Sequence, residues 1–494
     1  MARRAVRGQA ALQRAPWRRP REKPGPPPGR TPVGDARPVI QRLRARWVLP
    51  ITAEPIEDGE VVVVDGRIAE ARPRPLDGRP AADCTDLGDA VLLPGLVNVH
   101  AHLDYTVMRG LLDDLAFFPW IRALTLRRQA LDHDDWVASA TVGAAEAVAG
   151  GVTTLADCTS TGASLIGARA AGLRGIIFQE AFAVESSQDT HAVLAGARGQ
   201  VEQLREQAAG SLLRVGLSPH SPYTVHPDAL RALCDWARAE GLPVCIHAAE
   251  SQPEAALLHA CRGGIAERLT ARGVAWHRHV PSVSAVAHLE SLGALGPSTL
   301  LVHGVQVSAA DRALIARTGT AWAHCPKSNA KLGNGVAPLN VLRQSYPLGR
   351  DRIGLGSDSV ASNNTMDLFE EMRFAVLIQR ARSARHDAFT AREALEMATL
   401  GGARALGMEA EIGSLEPGKQ ADLCAVHVGG WRTAPCHHPV SALVYAASAR
   451  DVALTMVAGE PVFQDGRVVR MEHGRARDRI ARAAEKLRAW TPPE

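Results

Sequence analysis

Membrane spans, paired cysteines and lysines are scarce or missing in this sequence, and each lack narrows what the chain can be. No stretch approaches the roughly 18 consecutive apolar residues of a transmembrane helix, so a membrane protein is not expected. The eight cysteines (84, 158, 234, 245, 261, 325, 424 and 436) are scattered, with no C-x-x-C pair, and several sit in apolar runs. They read as reduced, buried thiols of a cytoplasmic protein, not as a disulfide frame or a zinc knuckle. A basic surplus is also missing from most of the chain. The net charge is +4, but residues 1–46 hold thirteen of the 56 basic side chains and two of the 52 acids. The remainder is therefore acidic by seven charges, which argues against a nucleic-acid partner. The Arg/Pro/Gly-rich start has no apolar core, so it is not a secretory signal. Lysine occurs only at 23, 327, 331, 419 and 486.

What is present is an ordinary globular composition, 46% hydrophobic and 22% charged over 494 residues, long enough for more than one structural unit. The pattern changes near residue 38. Segments 39–47 and 60–68 read as strands, the second with a turn at Asp65-Gly66. Segments 421–428, 452–457 and 460–469 read the same way near the other end. Two β-rich segments flanking a long middle suggest one small β-sandwich built from both chain ends. The middle holds apolar runs at 91–103, 152–158, 174–182, 212–219, 242–249, 298–304, 319–325 and 352–357. Helical stretches such as 135–149 and 227–240 lie between them. That alternation is the pattern of a parallel (β/α)8 barrel, an α/β fold whose chemistry sits at the C-terminal strand ends. The expected division is a disordered basic tail over 1–37, sandwich parts over 38–92 and 407–470, and the barrel over 93–406. A last segment over 471–494 carries an amphipathic basic helix at 476–490, packed on the body or partly exposed.

Several of the strand ends carry histidine or carboxylate. The first run closes on His100-Ala101-His102. Residues two apart on a strand share a face, so both imidazoles can meet one cation. Two ordinary polar residues at a strand end are the alternative. The fifth run ends at His247, with Glu250 three residues on, and the sixth ends at His303. Histidine at the tip of a buried strand is costly unless something satisfies it, and metal ligation would. Glu250 can carry a proton between a water and a substrate nitrogen. The eighth run ends at Asp358, which can complete a site with His100, His102 and His247, or can simply cap a helix. Three imidazoles and one carboxylate suit one divalent metal ion, zinc or iron(II), with a position left for water. The fourth strand end, Leu217-Ser218-Pro219-His220, offers no Lys, and none lies in the first six strands. A two-metal site bridged by a carboxylated lysine is thereby excluded.

These residues lie in motifs that resemble the amidohydrolase superfamily, in its cytosine-deaminase-like and ATZ/TRZ branch. The motifs are PGLVNVHAHLD (94–104), GLSPHSPYTV (216–225), IHAAES (246–251), LVHG (301–304), HCPKSNAKLGNGVAPL (324–339), GSDSVASNNTMDLFEEMR (356–373) and IGSLEPGKQADL (412–423). The resemblance spans roughly residues 38–470. It implies the barrel-plus-sandwich fold, one metal, a homodimer, and hydrolytic deamination of an aminated ring in a small molecule. By the match, His100, His102, His247 and Asp358 are the expected metal ligands. Glu250 is the expected proton shuttle, His303 the group that orients the water, and Asp358 the acceptor of the water's proton. Glu250 favours a deaminase over a dehalogenase, because chloride needs no proton to leave. The match also implies substrate contacts from His220, Asp104, Trp120, Arg174 and Asn329, with His324 beside them. His220 and the segment Arg109–Ile121 point to an aminopurine nucleoside. The best expectation is 6-amino-6-deoxyfutalosine of menaquinone biosynthesis. S-adenosylhomocysteine, methylthioadenosine, guanine, cytosine and s-triazines are the alternatives, and an inactive barrel scaffold is the non-enzymatic one.

Overall fold

The computed structural model describes residues 38–75, 84–184, 188–271, 273–274, 282–346 and 351–491. The tail expected over 1–37 lies outside the described residues. The described chain begins with strands β1 (Ile40–Val48), β2 (Ile56–Val64), β3 (Arg67–Pro73), β4 (Cys84–Asp86) and β5 (Ala90–Pro94). Asp65 and Gly66 both take left-handed backbone (φ 50° and 74°). That two-residue turn splits the segment read as one strand over 60–68 into the β2–β3 hairpin.

The middle of the chain supplies β6 (Leu96–Ala101), β7 (Val152–Thr159), β8 (Arg174–Ala181), β9 (Leu213–Pro219), β10 (Val244–Ala248), β11 (Thr299–His303), β12 (Ala321–His324) and β13 (Ile353–Leu355). They form one eight-stranded parallel sheet in sequence order, the barrel expected from the eight apolar runs. Almost every strand residue is buried on both faces, which is why the runs read as continuous and not alternating. Ile176, Phe178, Cys245, Val302, Ala323 and Cys325 belong to the inner apolar cluster. Gly304 is required after His303: its φ is +53°, and a Cβ there would lie 1.4 Å from the Trp322 ring. The sheet closes where the Asp358 N–H donates to the His100 carbonyl at 2.9 Å, beside a parallel bridge between Ala101 and Asp358.

The chain then returns to the first sheet with β14 (Leu423–His427), β15 (Val452–Val457), β16 (Glu460–Gln464) and β17 (Arg467–Val468). β14 runs antiparallel to β5, joining both chain ends in one nine-stranded sheet. Val48, Val61, Leu92, Leu423 and Met456 share its apolar core. The basic helix expected near the C-terminus is Gly474–Ala489. It buries Ala483 and Leu487, while Arg479 and Lys486 pair with Asp132 and Asp135 at the start of helix His133–Ala149. Those two acids already form that helix's capping box, so the cations meet both acids and the positive helix start.

Arg174 was an expected substrate contact, and the structure places it elsewhere. It opens β8 at the N-terminal end of the barrel. There its Nε and Nη2 donate to Asp422 at 2.7 and 3.1 Å, and both side chains are buried. Asp422 also accepts from the Ala458 N–H at 2.8 Å, so the pair pins the barrel floor to the sheet. Asp422→Ala would leave the buried Arg174 charge with only the exposed Glu411 carboxylate, 3.8 Å away. We expect a loss of about 3–5 kcal/mol in stability, measured by urea unfolding; a change near zero would contradict this role.

Candidate active site

At the C-terminal mouth of the barrel, five histidines and two carboxylates from five strand ends come together. His100 and His102 leave β6, and their ring centroids lie 4.9 Å apart. Nε2 of His100 and of His102 are 3.3 and 3.6 Å from Asp358 Oδ1. The His247 ring lies 4.9 Å from His100 and 5.6 Å from His102, and His303 lies 5.5 Å from His247. All these side chains are buried. Three positions use left-handed backbone without being glycine: Ala249 (φ 52°), His303 (φ 76°) and Asp358 (φ 57°). Backbone strain of this kind is held only where the surroundings over-determine it. Here it turns side chains off regular strands into one mouth.

The hydrogen bonds around the histidines decide which nitrogen faces inward. His102 Nδ1 and His247 Nδ1 lie 3.0 Å from the carbonyls of Cys158 and His220. A carbonyl only accepts, so both Nδ1 atoms carry the proton and both Nε2 lone pairs remain for a ligand. His100 Nε2 is buried and makes no hydrogen bond, although Asp358 lies beside it. Asp358 Oδ2 accepts from Ser328 Oγ at 2.5 Å and Ser362 Oγ at 3.0 Å, which leaves Oδ1 toward the histidines. His100, His102 and Asp358 offer donor atoms within 4.8 Å of one another, as do His100, His247 and His303. Inward lone pairs, an orphaned buried nitrogen and an oriented carboxylate together fit a divalent cation.

Burial and neighbouring charge set the protonation states. Burial, helped by the His100 charge, pushes His102 down to about 3, and burial pushes His303 down to about 4. Burial would lower His100 too, but the Asp358 carboxylate outweighs it and raises the imidazole to about 10. Burial would raise Asp358, yet His100, His303 and His102 hold it well below the usual range. Glu250 goes the other way: burial and the charge of Asp358 hold its carboxyl well above 4.5. Asp358 is thus held toward its ionised form and Glu250 toward its protonated form, the separation that distinguishes a base from an acid.

Two residues that the motifs did not single out, Glu254 and Asn334, position Glu250, and Asn329 positions His303. Glu254 accepts the Ala249 N–H at 2.9 Å and the Glu250 N–H at 2.7 Å, clamping the strained turn. Asn334 Nδ2 donates to Glu250 Oε1 at 3.2 Å. Asn329 was expected at the substrate; its Oδ1 instead accepts from His303 Nδ1 at 3.0 Å. His303 Nε2 is then 3.7 Å from Glu250 Oε1. Asp104 was also expected at the substrate. It is buried under hydrogen bonds from Thr159, Thr161 and Ser164 (2.7, 2.7 and 2.8 Å) and does not line the pocket. His324 is buried at the seventh strand end with neither ring nitrogen bonded. Above the histidines opens a pocket of about 360 Å3, walled by Phe117, Trp120, Phe182, His220 and Tyr223. Trp120 Nε1 donates to the Ala361 carbonyl at 3.3 Å, which leaves its ring as wall. The pocket also takes in Glu180, at the end of β8.

A parallel barrel with a buried histidine–carboxylate cluster at its C-terminal mouth is the architecture of a hydrolase. Residues 91–462 match the amidohydrolase family, and the chain belongs to that family. The 5-methylthioadenosine/S-adenosylhomocysteine deaminase of Syntrophobacter fumaroxidans is 33% identical over 439 residues, covering 87% of this chain and 94% of that protein. The protein so named in Halobacterium salinarum is 32% identical over 415 residues, covering 83% of this chain and 90% of its own length. Among solved structures, an adenosine deaminase from Xanthomonas campestris with bound zinc is similar at a TM-score of 0.79 and 28% identity, over 91% of this chain and 99% of that one. A triazine hydrolase from Arthrobacter aurescens shares the fold at a TM-score of 0.77 and 22% identity, over 90% and 99%. The chain is an amidohydrolase-family deaminase, a hydrolase of carbon–nitrogen bonds other than peptide bonds.

The buried carboxyls give a pH test of this electrostatic arrangement. Burial raises Glu180 and Glu371 to about 8. Each keeps in the fold a proton that the unfolded chain releases near 4.5. The stability from these protons is full below pH 4.5 and is lost as pH rises to about 8. His100, raised to about 10, adds to the loss above pH 6.5, and its neighbour Cys245, lowered to about 6, opposes it there. The metal-free protein should therefore lose thermal stability between pH 6.5 and 8. Glu371→Gln should flatten that slope, and a slope equal to the parent's would refute the assignment.

Proposed function

We propose that this chain hydrolyses the 6-amino group of an adenosine-type nucleoside to the 6-oxo form, releasing ammonia. The observation that carries this reading is the pair of buried carboxyls, Glu250 beside His303 and Asp358 beside His100 and His102, at the floor of a pocket large enough for a nucleoside. His100, His102, His247 and Asp358 would hold one divalent cation, zinc or iron(II). When bound, that cation would bring the pKa of a water toward neutrality. Asp358, ionised and steadied by Ser328 and Ser362, accepts the water's proton. His303, fixed by Asn329, presents its Nε2 lone pair to the water and orients it. Glu250, protonated, gives its proton to the ring nitrogen beside the reacting carbon. The amino group leaves as ammonia with the proton that Asp358 took up, and the proton of the added hydroxyl passes to Glu250 as the 6-oxo group forms, restoring both carboxyls.

The named relatives favour 5-methylthioadenosine or S-adenosylhomocysteine as the substrate. The segment Arg109–Ile121 keeps 6-amino-6-deoxyfutalosine as a second reading, because its Phe117 and Trp120 line the pocket. No described helix is long and apolar enough to cross a membrane, and a cytoplasmic homodimer belongs to the same proposal.

Ammonia release across adenosine, these three derivatives, cytosine, guanine and an s-triazine tests the reading. We expect turnover of at least one purine nucleoside; activity confined to non-purines would sink it. His100→Ala and Asp358→Asn should each lower the bound metal measured by elemental analysis, and unchanged content in both would remove the assigned site. Because Glu250 acts in its protonated form, kcat should fall on the alkaline side as that carboxyl ionises. Glu250→Gln should cost on the order of 100-fold or more in kcat, and a variant within threefold of the parent would exclude Glu250 as the proton donor.

A further inference from the structure

Three acids line the pocket among the described residues: Glu250, Asp358 and Glu180. The proposed proton transfers use the first two and leave Glu180 without a role. Its place follows from the strand that carries it. Ile176 and Phe178 point into the barrel's inner apolar cluster. Strand periodicity therefore puts Glu180 on the same inner face one step further on, at the mouth. Its side chain is only 3% exposed. Among the described residues the nearest basic nitrogen is His220 Nε2, 3.9 Å from Glu180 Oε1.

That separation is beyond a hydrogen bond. Both residues line the pocket, so a third group has room to lie between the two atoms. One oxygen at about 2.8 Å from each atom spans such a gap. His220 cannot turn away to find another partner. Its Nδ1 is engaged with Thr224 Oγ1 at 2.9 Å, its ring lies 4.7 Å from that of Phe182, and its carbonyl holds His247. Asp104, an expected substrate contact, is consumed by three hydroxyl donors outside the pocket.

We infer that Glu180 and His220 together receive a hydroxyl group of the substrate's sugar, so that Glu180 makes the enzyme selective for a ribonucleoside. This rests on the nucleoside reading above. Burial raises the Glu180 carboxyl to about 8, which suits a neutral hydroxyl better than a cationic ligand. Glu180 is a specificity residue in this account and takes no part in the proton transfers at the ring.

The test compares kcat/KM for the nucleoside that the parent enzyme deaminates fastest with kcat/KM for its 2′-deoxy and 3′-deoxy analogues. A site built to bond a hydroxyl rejects the analogue lacking it by on the order of 100-fold or more. We expect that preference in the parent for at least one analogue. In Glu180→Ala it should collapse to within about threefold, through loss on the ribonucleoside, with the deoxy analogue nearly unaffected. Glu180→Gln, isosteric and still able to hydrogen-bond, should keep part of the preference. Equal losses on all three substrates, or an unchanged preference in Glu180→Ala, would overturn the inference while leaving the nucleoside reading intact. A parent enzyme silent on every nucleoside would overturn both.

Discussion

The site depends on one backbone hydrogen bond, from the Asp358 N–H to the His100 carbonyl. It joins the last strand of the barrel to the first, and it does so at the residues whose side chains meet. Without it, Asp358 and His100 are ends of separate strands, 258 positions apart in the chain. With it, the Asp358 carboxylate is delivered beside His100 and His102, and the left-handed turn at Asp358 aims it inward. Closure of the fold and assembly of the cluster are the same event. The short last strand, with only Ile353–Leu355 in regular pairing, is tolerated because the bridge at Asp358 extends the contact to the mouth.

Charge is then managed in layers. The floor of the barrel is neutralised by Arg174 and Asp422, which meet far from any ligand. The mouth carries an Asp358 held toward its ionised form among imidazoles and a Glu250 held toward its protonated form facing a neutral His303. Each of these groups is oriented by hydrogen-bonded neighbours: Ser328 and Ser362 for Asp358, Asn334 for Glu250, backbone carbonyls for His102 and His247. Such outer contacts hold the orientation of the side chains at the mouth.

β8 shows how far motif reading reaches. Arg174 and Glu180 lie on one face of it, six positions apart, at opposite ends of the barrel. The resemblance drew attention to the arginine, and the structure gives the pocket to the glutamate. The direction of a parallel strand would have separated them, since the chemistry of this fold lies at the C-terminal end. Asp104 and Asn329 were legible as polar residues near the site, but not as residues already saturated or already engaged with His303. Hydrogen-bond partners from distant loops, such as Thr161 and Ser164 around Asp104, leave no mark in local spacing.

The sequence by itself determined the eight apolar runs, the two β-rich flanks and the histidine and carboxylate tips, because burial on both faces and strand period are written locally. It also determined that no lysine could bridge two metals, since the residue is simply not there. The tertiary structure alone decided which polar side chains are free to meet a ligand. That depends on closure between first and last strands, on left-handed turns at Ala249, His303 and Asp358, and on which neighbours have already taken each donor and acceptor. Those are contacts between residues far apart in the chain, and no local pattern encodes them.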